Sequence, residues 1–442
     1  MAPPSTASAW RRSAAGGVAG VLCAAFTAAA VAPGAAGTGG AAKPAGAATA
    51  AGPELGASPQ ASRKLLAHGP WPLAVARDRS NRVSGQAAAM EFGYRMFRET
   101  RMSPNGYVAC ISCHQTNRAF TKGIARAQGL APVGRNTPTL TNLQLMHWYG
   151  WDGGSDSLWM ASLRPMLDAR ELGSNAARVA KVVRIGDGLA CRYRHSFGAA
   201  PAAHNDERVM VNLAKAIAAF AESMTTLRTP FDDFRDALAR GDPGAAQAYP
   251  AAARRGALLF VGMGRCATCH AGPAFSDGVF HHIEAGTPAA RQRAEQMAAG
   301  TATAGTADLG RESGLALWRQ SPYTRAGRFS DHALQRVTAD RADLSGQAQR
   351  GAFRTPPLRN VAVTAPYMHD GGVDSLFDAV RHAGSAQPAA RSATHSATGG
   401  AGVPQGALMD PETADLVAFL ETLTDAQAAA RSFAPLRPSP CP

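Results

Sequence analysis

Beyond Val31 the 442-residue chain has no apolar run long enough to cross a bilayer, which excludes a bundle of membrane-spanning helices. A basic stripe is missing as well. Its 45 Lys and Arg against 32 Asp and Glu give a net charge of +13, but they are scattered and not interleaved with aromatics, which argues against nucleic acid as a partner. The charge suits an acidic protein partner or an anionic surface. Cysteine is sparse, at positions 23, 110, 113, 191, 266, 269 and 441. What is plentiful is Gly (46) and Pro (29), so long irregular loops are expected.

The N-terminus reads as an export signal over residues 1–36. Arg11 and Arg12 precede an apolar run from Val18 to Val31, too short to span, and small residues follow with Ala30 and Ala32 or Ala35 before a cut. An uncleaved membrane anchor stays open as the alternative. Periplasmic location is the expectation. Residues 37–80, rich in Ala, Gly and Pro, read as a flexible linker, and 431–442 as a disordered tail.

Four of the seven cysteines fall into CISCH, Cys110 to His114, and CATCH, Cys266 to His270. C-x-x-C-H is the attachment pattern of haem c. Two thiols add to the haem vinyl groups, and the adjacent His reaches the iron from the same face. One match could be a zinc half-site or a redox pair. Zinc would need further close Cys or His ligands, and the next His after His114 is His147. A thioredoxin-like motif would not need the His twice. Two covalent haems, one in each half, are therefore expected. Cys191 and Cys441 are left either free or paired.

The two halves repeat around these motifs. An apolar segment with Gly four residues before Phe precedes each, Gly93 to Phe97 and Gly256 to Phe260, and AFTKG or AFSDG follows. Residues 137–159 and 355–377 then align without a gap, with 11 of 23 positions identical. Amphipathic segments, Lys215 to Thr226 and Ala414 to Asp425, close the halves with apolar spacing of three and four. The expected fold is mostly α, with two cytochrome c-like domains related by internal duplication, at 81–240 and 241–430, and long irregular loops. Residues 283–350 read as a loop excursion with little core of its own.

With CISCH, RNTPTLTN, WDGG, PMLDAREL, PFDDF, CATCHAGPAFSDG, FRTPPLRN and PYMHDGG in this order, the chain resembles the bacterial di-haem cytochrome c peroxidases and their MauG-type relatives over roughly residues 85–425. The resemblance implies that the first haem reacts with peroxide, that the second takes electrons from a donor, and that a calcium ion lies between them. It makes His114 and His270 the proximal iron ligands. Trp151 matches the tryptophan between the haems, Glu171 the acid over the peroxide site, and Pro165 the proline lining that pocket. Asn136 matches a calcium ligand, as do Thr364 and Pro366 through their carbonyls. His369 matches the histidine of the PY-x-H-D-G turn at the cofactor. By residue type alone Trp151 would read as core packing and Glu171 as a solvated helix residue.

Two departures from the family pattern stand out. The loop Gln115 to Gly134 contains no histidine, whereas typical members cap the first haem from there, so an open first site is expected. The position expected to hold Met or Tyr as sixth ligand of the second haem is Ala383, leaving His382, His395, Met409 or water. The leading expectation is a peroxidase reducing hydrogen peroxide to water with electrons from a small redox protein, a cytochrome c or a cupredoxin. The alternatives are a MauG-type oxidase of Tyr or Trp residues in a partner protein and a plain electron carrier. A homodimer is compatible with either enzyme.

Overall fold

Among the described residues there are thirteen α-helices, one two-stranded antiparallel pair and several single-turn 3-10 helices. The computed structural model describes residues 58–282, 308–332, 349–385, 408–428 and 441. The proposed export signal, the linker up to residue 57 and His395 lie outside the described residues, as does the tail apart from Cys441. The mostly helical expectation is met.

The helices are α1 (Pro59–Leu66), α2 (Ala87–Phe97), α3 (Cys110–Cys113), α4 (Leu158–Leu167), α5 (Ala176–Ile185), α6 (Leu189–Phe197), α7 (Asp206–Glu222), α8 (Pro230–Arg240), α9 (Pro243–Gln247), α10 (Ala251–Val261), α11 (Arg311–Gln320), α12 (Leu376–Ser385) and α13 (Asp410–Glu421). Strands β1 (Phe280–His281) and β2 (Phe353–Arg354) pair antiparallel, Phe280 opposite Arg354.

Each half is organised by one close helix crossing. A Cβ on Gly93 of α2 would collide with the carbonyl of Ala216 in α7, and a Cβ on Gly256 of α10 with the carbonyl of Asp415 in α13. Only glycine lets these backbones approach so closely. The closing helix of each half then meets its repeat segment in the same way. Asn142 and Asn360 both adopt the left-handed conformation, φ 61° and 66°. Asn142 donates its N–H to Met224 O (2.7 Å) and accepts from Thr226 N on Oδ1 (3.0 Å). Asn360 does the same with Leu423 O (3.0 Å) and Asp425 N (2.9 Å).

Two apolar cores result. One gathers Phe92, Met96, Phe97, Phe120, Trp159, Leu163, Val183 and Tyr193 around the buried face of α7. The other gathers Phe231, Phe234, Phe260, Phe275, Leu416 and Phe419.

Two expectations are corrected. From Ser58 onward the predicted linker 37–80 is built into the protein: Leu65 belongs to the second core and Trp71 is buried, its indole N–H donating to Thr226 O at 3.1 Å. Composition suggested a tether, but the few large residues of this segment find cover against distant parts of the chain. Within the predicted excursion 283–350, residues 308–332 carry α11 and place Phe329 in the first core. The buried Lys215 of α7 holds this stretch, donating to Phe329 O and Asp331 Oδ2, each at 2.6 Å.

The repeat segments also pair with each other. Asn136, immediately before the first repeat, donates its N–H to His369 O at 2.8 Å, and Arg354, immediately before the second, donates to Trp151 O at 2.9 Å. Trp151 and His369 are equivalent positions of the alignment, so the exchange is reciprocal.

Candidate active site

The first motif forms the short helix α3, with the half-buried thiols of Cys110 and Cys113 free and His114 directly after them. His114 Nδ1 donates to Phe120 O at 2.8 Å, and His270 Nδ1 to Phe275 O at 2.9 Å. A carbonyl only accepts, so in both rings Nδ1 carries the hydrogen and Nε2 presents the lone pair. Burial lowers His114 to about 4 and lowers His270 as well, which keeps both imidazoles neutral, as ligation requires. Phe120 and Phe275 reach these histidines from left-handed backbone, φ 62° and 54°. Burial pushes the Cys110 and Cys266 thiols up to about 12, which disfavours the thiolates a zinc site would use. Two thiols and a neutral, oriented histidine on one turn fit a covalently attached haem in each half.

Helix α4 carries Pro165, and the chain beyond it turns back through Asp168 and Glu171. The Pro165 carbonyl accepts from Leu172 N at 3.1 Å, and Asp168 O accepts from Glu171 N at 3.0 Å. Burial raises the affinity of the half-buried Glu171 carboxyl for its proton, and Asp168 adds to this against Arg164 and Arg170. Glu171 is near enough to Cys110 and Cys113 to contribute to the upward shifts of both thiols, behind burial.

The loop without a histidine is fastened at two places. Leu130 N donates to Glu171 O (3.0 Å) and Ala131 N to Arg170 O (2.9 Å), while Asn136 Nδ2 donates to Ile124 O (3.3 Å) and Ala125 O (3.2 Å). Gly371, at φ +68°, is where this loop meets the PYMHDGG turn: a Cβ there would strike Ala125.

Trp151 lies on the seam between the halves, its indole N–H donating to Asn136 O at 2.9 Å. His369 is buried, its ring stacked on Phe353 with centroids 3.7 Å apart. Thr364 and Pro366 fall in the turn just ahead of His369, so the His369–Asn136 bond brings all three residues of the calcium expectation into one neighbourhood. Among the described residues no backbone N–H donates to the carbonyl of Thr364 or Pro366.

Sequence reading missed the charged frame of this seam. Arg135 binds Asp308 with two nitrogens (2.6 and 2.7 Å) and Asp152 with a third (2.6 Å), and Arg164 takes both Asp152 oxygens at 2.8 Å. Burial alone would raise Asp152, but the two guanidinium groups hold its carboxyl well below the usual range. Arg354, wholly enclosed, donates to Gly150 O at 3.1 Å, and burial brings it down to about 10. Partners so distant in sequence leave no local pattern to read. Of the second-haem ligand candidates, Met409 is 67% exposed and His382 is half-buried on α12, beside the exposed Ala383. Cys191 and Cys441, left open by the sequence, form a disulfide.

A family model described as di-haem cytochrome c peroxidase matches residues 87–240. The methylamine utilization protein MauG of Methylorubrum extorquens is 28% identical over 358 residues, 80% of this chain and 82% of that protein. The cytochrome c551 peroxidase of Nitrosomonas europaea is 27% identical over 342 residues, 76% and 80% of the two chains. Two solved structures share the fold. The diheme peroxidase BthA from Burkholderia thailandensis has a TM-score of 0.57 at 22% identity, covering 83% of this chain and 90% of that one. A MauG-like protein associated with microbial copper homeostasis has a TM-score of 0.55 at 24% identity, covering 83% and 97%. Across these comparisons the chain is similar to the di-haem cytochrome c peroxidase family, whose model matches residues 87–240. Members of that family are oxidoreductases, and the likeness implies two haem c groups.

Proposed function

We propose that this protein is a periplasmic peroxidase that reduces hydrogen peroxide to water with electrons from a small redox protein, a cytochrome c or a cupredoxin. The observation that carries the reading is Glu171, a half-buried carboxyl with raised proton affinity within electrostatic reach of Cys110 and Cys113. The two haems, when bound, supply a peroxide-binding iron in the first half and an electron store in the second. His114 Nε2 and His270 Nε2 would hold the irons, and Cys110, Cys113, Cys266 and Cys269 would form the thioethers. With the first haem bound, the Glu171 carboxyl would hold and move a proton at the peroxide, the work of a positioned acid–base group. Pro165 narrows that pocket and has no N–H to compete for the substrate. Trp151 occupies the seam that an electron crosses between the halves.

The reciprocal Asn136–His369 and Arg354–Trp151 bonds support an internal duplication, with domains at 81–240 and 241–430. Asn136 Oδ1 and the carbonyls of Thr364 and Pro366 are hard oxygen donors suited to calcium, and an ion there would tie the halves together. A MauG-type oxidase of partner-protein Tyr or Trp is the second reading. It is favoured by the loop 115–134, which has no histidine to cap the first haem.

The deciding experiment mixes the two-haem protein with peroxide and a reduced cytochrome c or cupredoxin. Catalytic oxidation of the donor matched to peroxide loss is expected. Peroxide-dependent oxidation of a partner protein's Tyr or Trp, without donor turnover, would replace this reading with the second.

A further inference from the structure

His68 lies outside both haem motifs and ahead of the stretch that matches the family model. Helix α1 brings it in. Lys64 Nζ donates to Val261 O at the end of α10 (2.9 Å), and Arg235 of α8 donates twice to Leu66 O (3.0 and 3.2 Å). Two residues on, the His68 ring is 2% exposed and lies flat on Phe275, centroids 4.4 Å apart and planes within 8°. Its Nδ1 is 2.9 Å from Gly272 O, which also accepts the Phe275 N–H at 2.9 Å. A carbonyl cannot donate, so His68 Nδ1 carries the hydrogen.

Phe275 is the residue whose carbonyl accepts from His270 Nδ1. It stands in left-handed backbone at φ +54°, a conformation a bulky side chain adopts only when its surroundings impose it. His68 supplies part of that constraint twice, by stacking on the ring and by fixing the Gly272 carbonyl that closes the turn. We infer that His68 is a positioning residue for the second haem, setting the strength of the His270–Phe275 hydrogen bond from a segment that precedes both haem motifs. That bond governs the basicity of the ligating Nε2 and through it the reduction potential of the iron. Burial lowers His68 to about 4, so the ring stays a neutral donor through the physiological range. In the first half the corresponding Phe120 is met edge-on by Phe97, with centroids 6.3 Å apart.

The inference rests on His270 being the iron ligand. Its test is a potentiometric titration of the full-length two-haem protein, with each haem followed by its own visible bands. His68→Phe keeps a ring on Phe275 but has no donor for Gly272, whereas His68→Asn places an amide N–H near the lost Nδ1. His68→Phe should raise the potential of the second haem and leave the first in place, with both haems retained. His68→Asn should return it toward the wild-type value. An unmoved second haem in His68→Phe, equal movement of both haems, or an Asn variant displaced as far as the Phe variant would each overturn the assignment. If His68→Phe does not accumulate, Arg235→Met decides. It releases Leu66 while keeping His68, and a shift confined to the second haem supports the clamp, whereas no shift refutes it. Wild-type protein holding fewer than two covalent haems would overturn the ligand role of His270 itself.

Discussion

Beyond Pro165 the first half turns back through Asp168 and leaves Glu171 within electrostatic reach of Cys110 and Cys113. Beyond Ala383, the equivalent position of the second half, the residue aligned with Glu171 is Ala389. On the histidine side the halves agree closely: His114 and His270 each donate Nδ1 to a Phe carbonyl in left-handed backbone. The contrast teaches that orienting a C-x-x-C-H histidine and placing a carboxyl near its motif are separable tasks. The first is met in both halves, whereas the residue aligned with Glu171 is not a carboxyl.

The sharpest way to break this comparison is to remove each histidine in turn. His114→Ala should abolish peroxide consumption, whereas His270→Ala should leave peroxide binding at the first haem and abolish donor oxidation. Stopped-flow spectra and donor assays separate these outcomes, and a His270 variant turning over normally with a protein donor would show that the halves do not divide the labour. Next in size, Glu171→Gln should slow the peroxide reaction by about 10² while leaving cyanide affinity at the first haem unchanged. The open first site should bind cyanide before any reduction. A resting spectrum with two six-coordinate low-spin haems and no cyanide binding would count against it.

Removing calcium should act more gently, slowing electron transfer between the haems while both stay attached. Identical rates after exhaustive chelation would argue against an ion at Asn136, Thr364 and Pro366. The smallest effect separates the closing helices. Glu222, at the end of α7, is pushed up to about 7 by burial, although Ser84 Oγ and Gly85 N donate to it; the aligned Glu421 on α13 is exposed. A carboxyl raised from 4.5 to about 7 on folding holds an extra proton only in the folded state between those values. Stability from this group is therefore full below about 4.5 and lost as pH rises through about 7. Thermal midpoints of Glu222→Gln should gain on wild type from pH 5 to 8, and a constant offset across that range would break the assignment.

The haem motifs were legible because covalent attachment needs two thiols and a histidine on one turn, which forces them to be contiguous. The glycine crossings at Gly93 and Gly256 and the anchors at Asn142 and Asn360 were legible as a repeat for the same local reason. The segment around His68 and Trp71 was not. Its Ala, Gly and Pro content hides two large side chains whose cover comes from Phe275 and Thr226, more than 150 residues away. Residues 308–332 escaped likewise, since Phe329 is buried by a helix from the other half. Arg135, Arg354 and Asp152 carry no spacing signal, because the seam they frame exists only once the repeats have met.

The Cys191–Cys441 bridge, spanning 250 residues of sequence, turns most of the molecule into a covalent ring. Both repeats' meeting partners, α7 and α13, the whole second motif and residues 308–332 lie inside that ring, while the first motif hangs outside on the N-terminal arm. Closing so large a loop removes on the order of 5 kcal/mol of freedom from the unfolded chain. It also means that a backbone cut anywhere between residues 192 and 440 opens the ring without dividing the molecule. The two pieces would part only when a reductant reached the bridge, and each would then carry away one haem if the cut fell between α7 and the second motif.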